Sequence, residues 1–201
     1  MEIKAGNISK SYAGIDIIKQ FTYHFTQDSI TGIAGPNGSG KSTLLKILCG
    51  FLTPGSGAVE YFSAGQQVKR KDVFRYLTLA APYSTVIKDF TLKENWDLLL
   101  TFKGSRETMN YKDLLNILEW KNPGDKKLSQ FSSGMVQKVN LLLAMVGRSE
   151  ILILDEPTSY LDAGNREWYH RMAQQFFSGR TVIIASNDAG DFMETSNIIS
   201  L

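Results

Sequence analysis

The sequence predicts an α/β fold with a mostly parallel core sheet, a pair of antiparallel strands at the N-terminus and a helical middle. Three observations carry that prediction. A glycine-rich run, Gly35-Pro36-Asn37-Gly38-Ser39-Gly40-Lys41-Ser42, joins the apolar stretch Ile30-Thr31-Gly32-Ile33-Ala34 to the helix-like Thr43-Leu44-Leu45-Lys46-Ile47-Leu48. Two more short apolar runs, Ile151-Leu152-Ile153-Leu154 and residues 181–185, read as strands covered on both faces, as in a parallel sheet. Between these landmarks, apolar residues recur at helical rather than alternating spacing.

Taken in order, residues 2–8 and 15–25 are β-prone and flank the turn Ser11-Tyr12-Ala13-Gly14. A third strand feeds the glycine-rich run and its helix. The breakers Thr53-Pro54-Gly55-Ser56-Gly57 then lead to short strands at 58–62 and 76–80. Thr91-Leu92-Lys93-Glu94 is a capping box, in which the Thr91 hydroxyl and Glu94 carboxylate satisfy orphan amides of a helix expected to bury Trp96, Leu99 and Leu100. Tyr111, Leu114, Leu115 and Leu118 form one stripe of a second helix, and a third is expected over 133–146. After the strand at 151–154, Trp168, Tyr169, Met172, Ala173, Phe176 and Phe177 give another helix its apolar face. The strand at 181–185 and a last one at 197–201 complete the pattern, without internal repeat or low-complexity tract.

Composition frames the chemistry without naming it. At 201 residues, 43% of them hydrophobic, the chain is expected to form one domain that buries about 70% of its unfolded surface. Lys and Arg number 22 against 20 Asp and Glu, with no run of like charge, so nucleic acid is not an expected partner. The single cysteine, Cys49, excludes an internal disulfide, suits a reducing compartment and reads as a small buried hydrophobe. The N-terminus lacks an apolar signal core, and the longest apolar run, residues 141–146, is too short to span a bilayer. A cytoplasmic location follows as the expectation.

The glycine-rich run is a phosphate-binding loop by physical logic. Gly35, Gly38 and Gly40 let the backbone turn so that successive amides, with those of Pro36-flanked Asn37 and Ser39, point inward, and the helix from Thr43 adds the positive end of its dipole. Lys41 would reach the β- and γ-phosphates, and the Ser42 hydroxyl would be one ligand of Mg²⁺. ATP or GTP is the implied ligand. At the end of the strand 151–154, Asp155 can hold the Mg²⁺ shell while Glu156 aims at the water attacking the γ-phosphate.

Together these residues resemble the nucleotide-binding subunit of ATP-binding cassette (ABC) transporters, over nearly the whole chain. The resemblance implies a P-loop NTPase fold with an inserted α-helical subdomain at about 83–146, the core being about 1–82 and 147–201. It implies ATP and Mg²⁺ as cofactors, ATP hydrolysis coupled to transport, and a place on the inner face of the cell membrane. Gln130-Phe131-Ser132-Ser133-Gly134-Met135 fills the family's signature, whose serine, here Ser132, and helix-start amides, here Ser133 and Gly134, cap the γ-phosphate held by a second subunit. Ser-Ser-Gly is also simply a good helix cap. Tyr12 looks like the aromatic on which adenine stacks. Ser159-Tyr160-Leu161-Asp162 matches the loop that crosses the dimer interface, and a second reading makes Asp162 the cap of the helix that follows. The implied partners are a second subunit, in a homodimer or heterodimer, and a transmembrane permease that docks on the helical region.

The sequence departs from the family at two places. Asn187 stands where the family has a switch histidine, and an amide can donate to a phosphate oxygen without carrying positive charge. No glutamine occupies Leu79-Ala80-Ala81-Pro82-Tyr83, where the family links Mg²⁺ and water to the permease-facing loop. Nucleotide binding is therefore expected intact and hydrolysis slow, and the alternatives to a transport ATPase are a nucleotide-gated switch, a weakly hydrolysing partner in a heterodimer, and a soluble cassette protein outside transport.

Overall fold

A computed structural model describes residues 1–82 and 86–201 of the chain. Two sheets organise it. The first is four-stranded and antiparallel, in the order β2-β1-β4-β5, from β1 (Glu2–Tyr12), β2 (Ile15–Phe25), β4 (Ser56–Ser63) and β5 (Gln66–Val68). The β1–β2 turn is made by Ala13 and Gly14, both at positive φ, as a tight hairpin requires. The second sheet has the order β6-β7-β8-β3-β9, from β3 (Ile30–Ala34), β6 (Leu77–Ala80), β7 (Ile151–Asp155), β8 (Thr181–Ser186) and β9 (Asn197–Ser200), and every pairing in it is parallel.

Side-chain alternation along the parallel strands divides the interior in two. Ile33, Ile151, Ile153, Ile183 and Ala185 face α1 (Lys41–Leu48), whose Leu44, Leu45, Ile47 and Leu48 are covered on their other side by Ile3, Ile8, Ile18 and Phe25 of the antiparallel sheet. Leu152, Leu154, Val182 and Ile184 face the opposite way, toward α4 (Ser133–Val146) and α5 (Ala163–Phe176). Each such side chain, taken fully from water, contributes about 1.5–3 kcal/mol to burial before entropy is counted.

The helices between β6 and β7 follow the expected order: α2 (Leu92–Phe102), α3 (Tyr111–Leu118) and α4. The Thr91–Glu94 capping box is present, the Glu94 carboxylate accepting from Thr91 N at 2.7 Å while Glu94 N donates to the Thr91 hydroxyl at 3.1 Å. The burial stripe of α2 is a correction: Leu92, Asn95 and Trp96 are buried, Leu99 is half-buried, and Leu100 is exposed. Both sets lie on one stripe, since positions 92, 96 and 100 are four apart; burial fades toward Leu100 because the helix docks through its N-terminal end, where Asn95 also binds the Ile87 backbone. On α3, Leu114, Leu115 and Leu118 are buried as expected, and Trp168 Nε1 of α5 donates to Ile117 O at 2.8 Å. The expected boundary at Tyr83 lies outside the described residues.

Candidate functional site

Register brings three segments to one edge. Ala34 pairs with Ser186 and Asp155 with Ala185, so the loops after β3, β7 and β8 emerge side by side at the carboxyl ends of adjacent strands, where open α/β sheets hold ligands. The glycine-rich loop is the first. Gly40, at φ 100°, ends it, and a Cβ there would lie 2.9 Å from the Ile17 carbonyl. Only glycine fits. With Gly40 as the cap, α1 has neither a side-chain cap nor an acidic residue in its first turn, which leaves its amides to an anion. The cleft beside it is lined by Tyr12, Ile17, Asn37, Gly38, Gly40, Lys41, Ser42, Thr43 and Glu156.

Lys41 is buried, and its amine lies 2.7 Å from Gly35 O, 3.2 Å from Pro36 O and 3.3 Å from Glu156 Oε1. The cation thus already links the loop to the acid. Asp155, the last residue of β7, is also buried, and its Oδ1 has no hydrogen-bond partner. Burial and, less strongly, the Glu156 charge push its carboxyl above the usual range, while a hydrogen bond from the Ser42 hydroxyl pulls it down. A buried carboxylate oxygen left without a proton donor beside a serine hydroxyl is a fitting oxygen pair for a divalent cation such as Mg²⁺. Glu156 follows at φ 48°, its amide donating to Ala185 O at 2.8 Å. That left-handed turn swings its side chain back over the strand ends, so that Oε2 sits 3.2 Å from Ser186 Oγ and 3.4 Å from Asn187 N.

Asn187, exposed at the end of β8, donates from Nδ2 to Asn37 Oδ1 at 2.9 Å. The expected switch position therefore touches both the phosphate loop and Glu156. Tyr12, the last residue of β1, is 48% exposed on the rim of the same cleft, with the Lys10 amine 5.4 Å from its ring centre. A flat, exposed aromatic at that rim can accept a base.

Ser132, Ser133, Gly134 and Met135 lie elsewhere. Ser132 caps α4, its hydroxyl accepting from Met135 N at 3.3 Å, and Ser133 lines a second cleft with Ala81, Pro82, Gln137, Asn140 and Tyr160. A Cβ at Gly134 would lie 2.8 Å from Tyr160 O, so the helix tip is seated directly on the loop that follows Glu156. Asp162 caps α5, accepting from Asn165 N at 2.9 Å; this is the second of its two sequence readings.

Sequence reasoning missed three polar residues here. Gln137 Nε2 donates to Pro157 O at 2.9 Å and Asn140 Nδ2 to Ala81 O at 2.9 Å, which joins the loop after Glu156 to the end of β6 through α4. Their signal was available as polar residues inside an otherwise apolar helix. The third, Asp191, is buried and accepts from Ser186 Oγ at 2.6 Å. The stretch expected to hold a glutamine contributes buried Ala80 and half-buried Ala81 and Pro82, and Tyr83 lies outside the described residues.

The family model for ABC transporters matches residues 18–159. An uncharacterized ABC transporter ATP-binding protein of Bacillus subtilis, YcbN, is 25% identical over 99% of this chain and 66% of its own length. The lantibiotic transport ATP-binding protein SrtF of Streptococcus pyogenes is 29% identical over 92% of this chain and 80% of its own. Against the Nod factor export ATP-binding protein I of Sinorhizobium fredii the identity is 27%, over 97% of this chain and 57% of that protein. Two solved folds superpose closely. A putative ABC transporter ATP-binding protein from Pyrococcus furiosus gives a TM-score of 0.81 at 21% identity, covering 100% and 98% of the two chains. A dimeric ATP-binding cassette, MJ0796, in a post-hydrolysis state with ADP and Pi gives 0.83 at 24% identity, covering 99% and 94%.

Proposed function

The chain belongs to the ABC transporter family, and from that premise we propose that it binds Mg-ATP, hydrolyses it slowly, and drives a membrane permease through ATP-dependent pairing of two subunits. One observation carries the reading: Glu156, just after β7, and Asn187, just after β8, reach Lys41 and Asn37 of the phosphate loop that follows β3.

The chemistry follows from the positions. The α1 amides and Lys41 hold the β- and γ-phosphates, the Lys41 amine exchanging the Gly35 and Pro36 carbonyls for phosphate oxygens of like geometry. Ser42 and Asp155 would hold Mg²⁺, which supplies neutralisation of phosphate charge when bound. Glu156 accepts a proton from the attacking water and aligns it with the γ-phosphate. Asn187 offers a neutral donor to the γ-phosphate, and losing the charge of a positioned donor costs about 10² in rate, which makes slow turnover the expectation. The adenine ring stacks on Tyr12.

Pairing follows from the separation of the two phosphate sites. Ser133, beside Ser132 at the tip of α4, opens onto a cleft that does not include the glycine-rich loop, and in this reading a second subunit, identical or related, brings Ser132, Ser133, Gly134 and Met135 to the nucleotide. Asp162 then acts by holding α5 and the loop before it. The permease seat is the apolar groove lined by Phe51, Phe74, Leu98, Leu99, Phe102 and Leu143, where Phe51, Phe74 and Phe102 are 62%, 52% and 76% exposed. No helix among the described residues is long and apolar enough to cross a membrane, so in this reading the chain reaches the bilayer through that partner.

Calorimetric titration with ATP and MgCl2 tests the reading. Binding by the wild-type chain that disappears in Lys41→Ala supports it, and equal binding by both refutes it.

A further inference from the structure

We propose that Asp191 is a positioning residue for Glu156: its carboxylate takes the hydroxyl proton of Ser186 and so leaves Glu156 Oε2 open to the attacking water. This rests on the role given to Glu156 above and adds a residue that neither the phosphate loop nor the strand-end acids include.

The argument is one of proton counting. Ser186 Oγ is fully buried and has three polar neighbours: Asp191 Oδ2 at 2.6 Å, Glu156 Oε2 at 3.2 Å, and the amide of Asp188, which donates to it at 3.0 Å. A hydroxyl has one proton to give and two carboxylates ask for it. The distances say where it goes. At 2.6 Å the bond to Asp191 has the length of a charge-assisted O–H···O⁻ contact, and the bond to Glu156 does not. Glu156 Oε2 is thus left with a weak contact to Asn187 N, at 3.4 Å, and lone pairs to spare.

The burial of Asp191 needs an explanation of this kind. A carboxylate 2% exposed, with Oδ1 lacking any hydrogen-bond partner, is costly to hold in the interior. Burial raises its pKa, opposed by the hydroxyls of Ser186 and Thr158. Those hydroxyls stand on the segments that flank Glu156 and Asn187. Through the Ser186 hydroxyl, Asp191 therefore reaches the acid without touching the nucleotide. Alanine in its place would remove the nearer acceptor. The Ser186 hydroxyl would then donate to Glu156 Oε2, its remaining carboxylate neighbour, occupying the lone pair that water needs.

Steady-state ATPase measurements on the full chain, with thermal melts of every variant, test this. Asp191→Ala should lower kcat about tenfold with KM for ATP unchanged, and adding Ser186→Ala should recover most of the loss, since the missing acceptor acts only through that hydroxyl. Ser186→Ala alone should stay within about threefold of wild type, because Asp191 already holds its proton away from Glu156. A purely structural Asp191 would instead give additive losses and a lowered melting temperature. The proposal is overturned if Asp191→Ala keeps wild-type kcat, if the double variant is no better than the single, or, should Asp191→Ala not fold, if Ser186→Ala alone loses tenfold or more. Glu156→Gln is the control: if it leaves turnover unchanged, the role of Glu156 fails first and takes this inference with it.

Discussion

Asn187 Nδ2 lies 2.9 Å from Asn37 Oδ1, so residues 150 positions apart tie the end of β8 to the middle of the phosphate loop. The same residue's amide faces Glu156. Position 187 is therefore built into the site, and what distinguishes it from a switch histidine is chemical: an amide is neutral and shorter in reach than an imidazole.

Asn187→His should accordingly raise turnover, by about 10- to 100-fold, through a charge-assisted contact to the γ-phosphate. Phosphate release at saturating Mg-ATP measures it. Equal rates in both proteins would mean that another donor already fills the role.

Glu156→Gln should cut turnover by about 10² to 10⁴ while preserving nucleotide binding. Trapped with Mg-ATP, this variant should double its mass in light scattering. A variant that stays monomeric at saturation would end the self-pairing model and point to an unlike partner.

The exposed Phe102 side chain makes the docking groove testable apart from the chemistry. Phe102→Glu places a carboxylate where the most exposed phenylalanine of a mostly apolar groove stood, so membrane extracts should no longer co-purify a permease with the chain. ATP affinity should be unchanged. Retention of the partner would move its seat elsewhere.

Cys49 gives a test of burial. Burial, reinforced by the Asp155 charge, pushes its thiol up to about 12 from 9.0. The thiolate is the reactive form, so at pH 8 only about one molecule in 10⁴ carries it. A thiol-reactive dye should leave the native chain unlabelled and react promptly once urea restores the ordinary pKa. Fast labelling without denaturant would show an open path to α1.

Much of this was legible because local rules act over a few residues. The cap at Thr91, the glycine loop, the buried strands and Asp155 all announce themselves by spacing and residue type. Leu100 did not, since how far along its stripe a helix is buried depends on how it docks, and α2 docks by its first turns. The short strand β5 escaped because Gln66 and Gln67 carry no alternation; β4 recruits it by hairpin geometry. Ser186 and Asp191 form a pair only because a turn over Ala189–Phe192 folds the carboxylate back onto the strand end. Gln137 and Asn140 were visible as polar residues in an apolar helix, but their acceptors, Pro157 and Ala81, are known only from the packing.

The placement of the serine-tipped end of α4 on one cleft and the lysine-bearing loop on another implies a form of complementation. In the twofold pair proposed above, each active centre would borrow half its walls from either copy. Mixing chains crippled only at Lys41 with chains crippled only at Ser132 then concentrates both lesions in one centre and leaves the other whole. Two preparations that are each inert should regain work when combined.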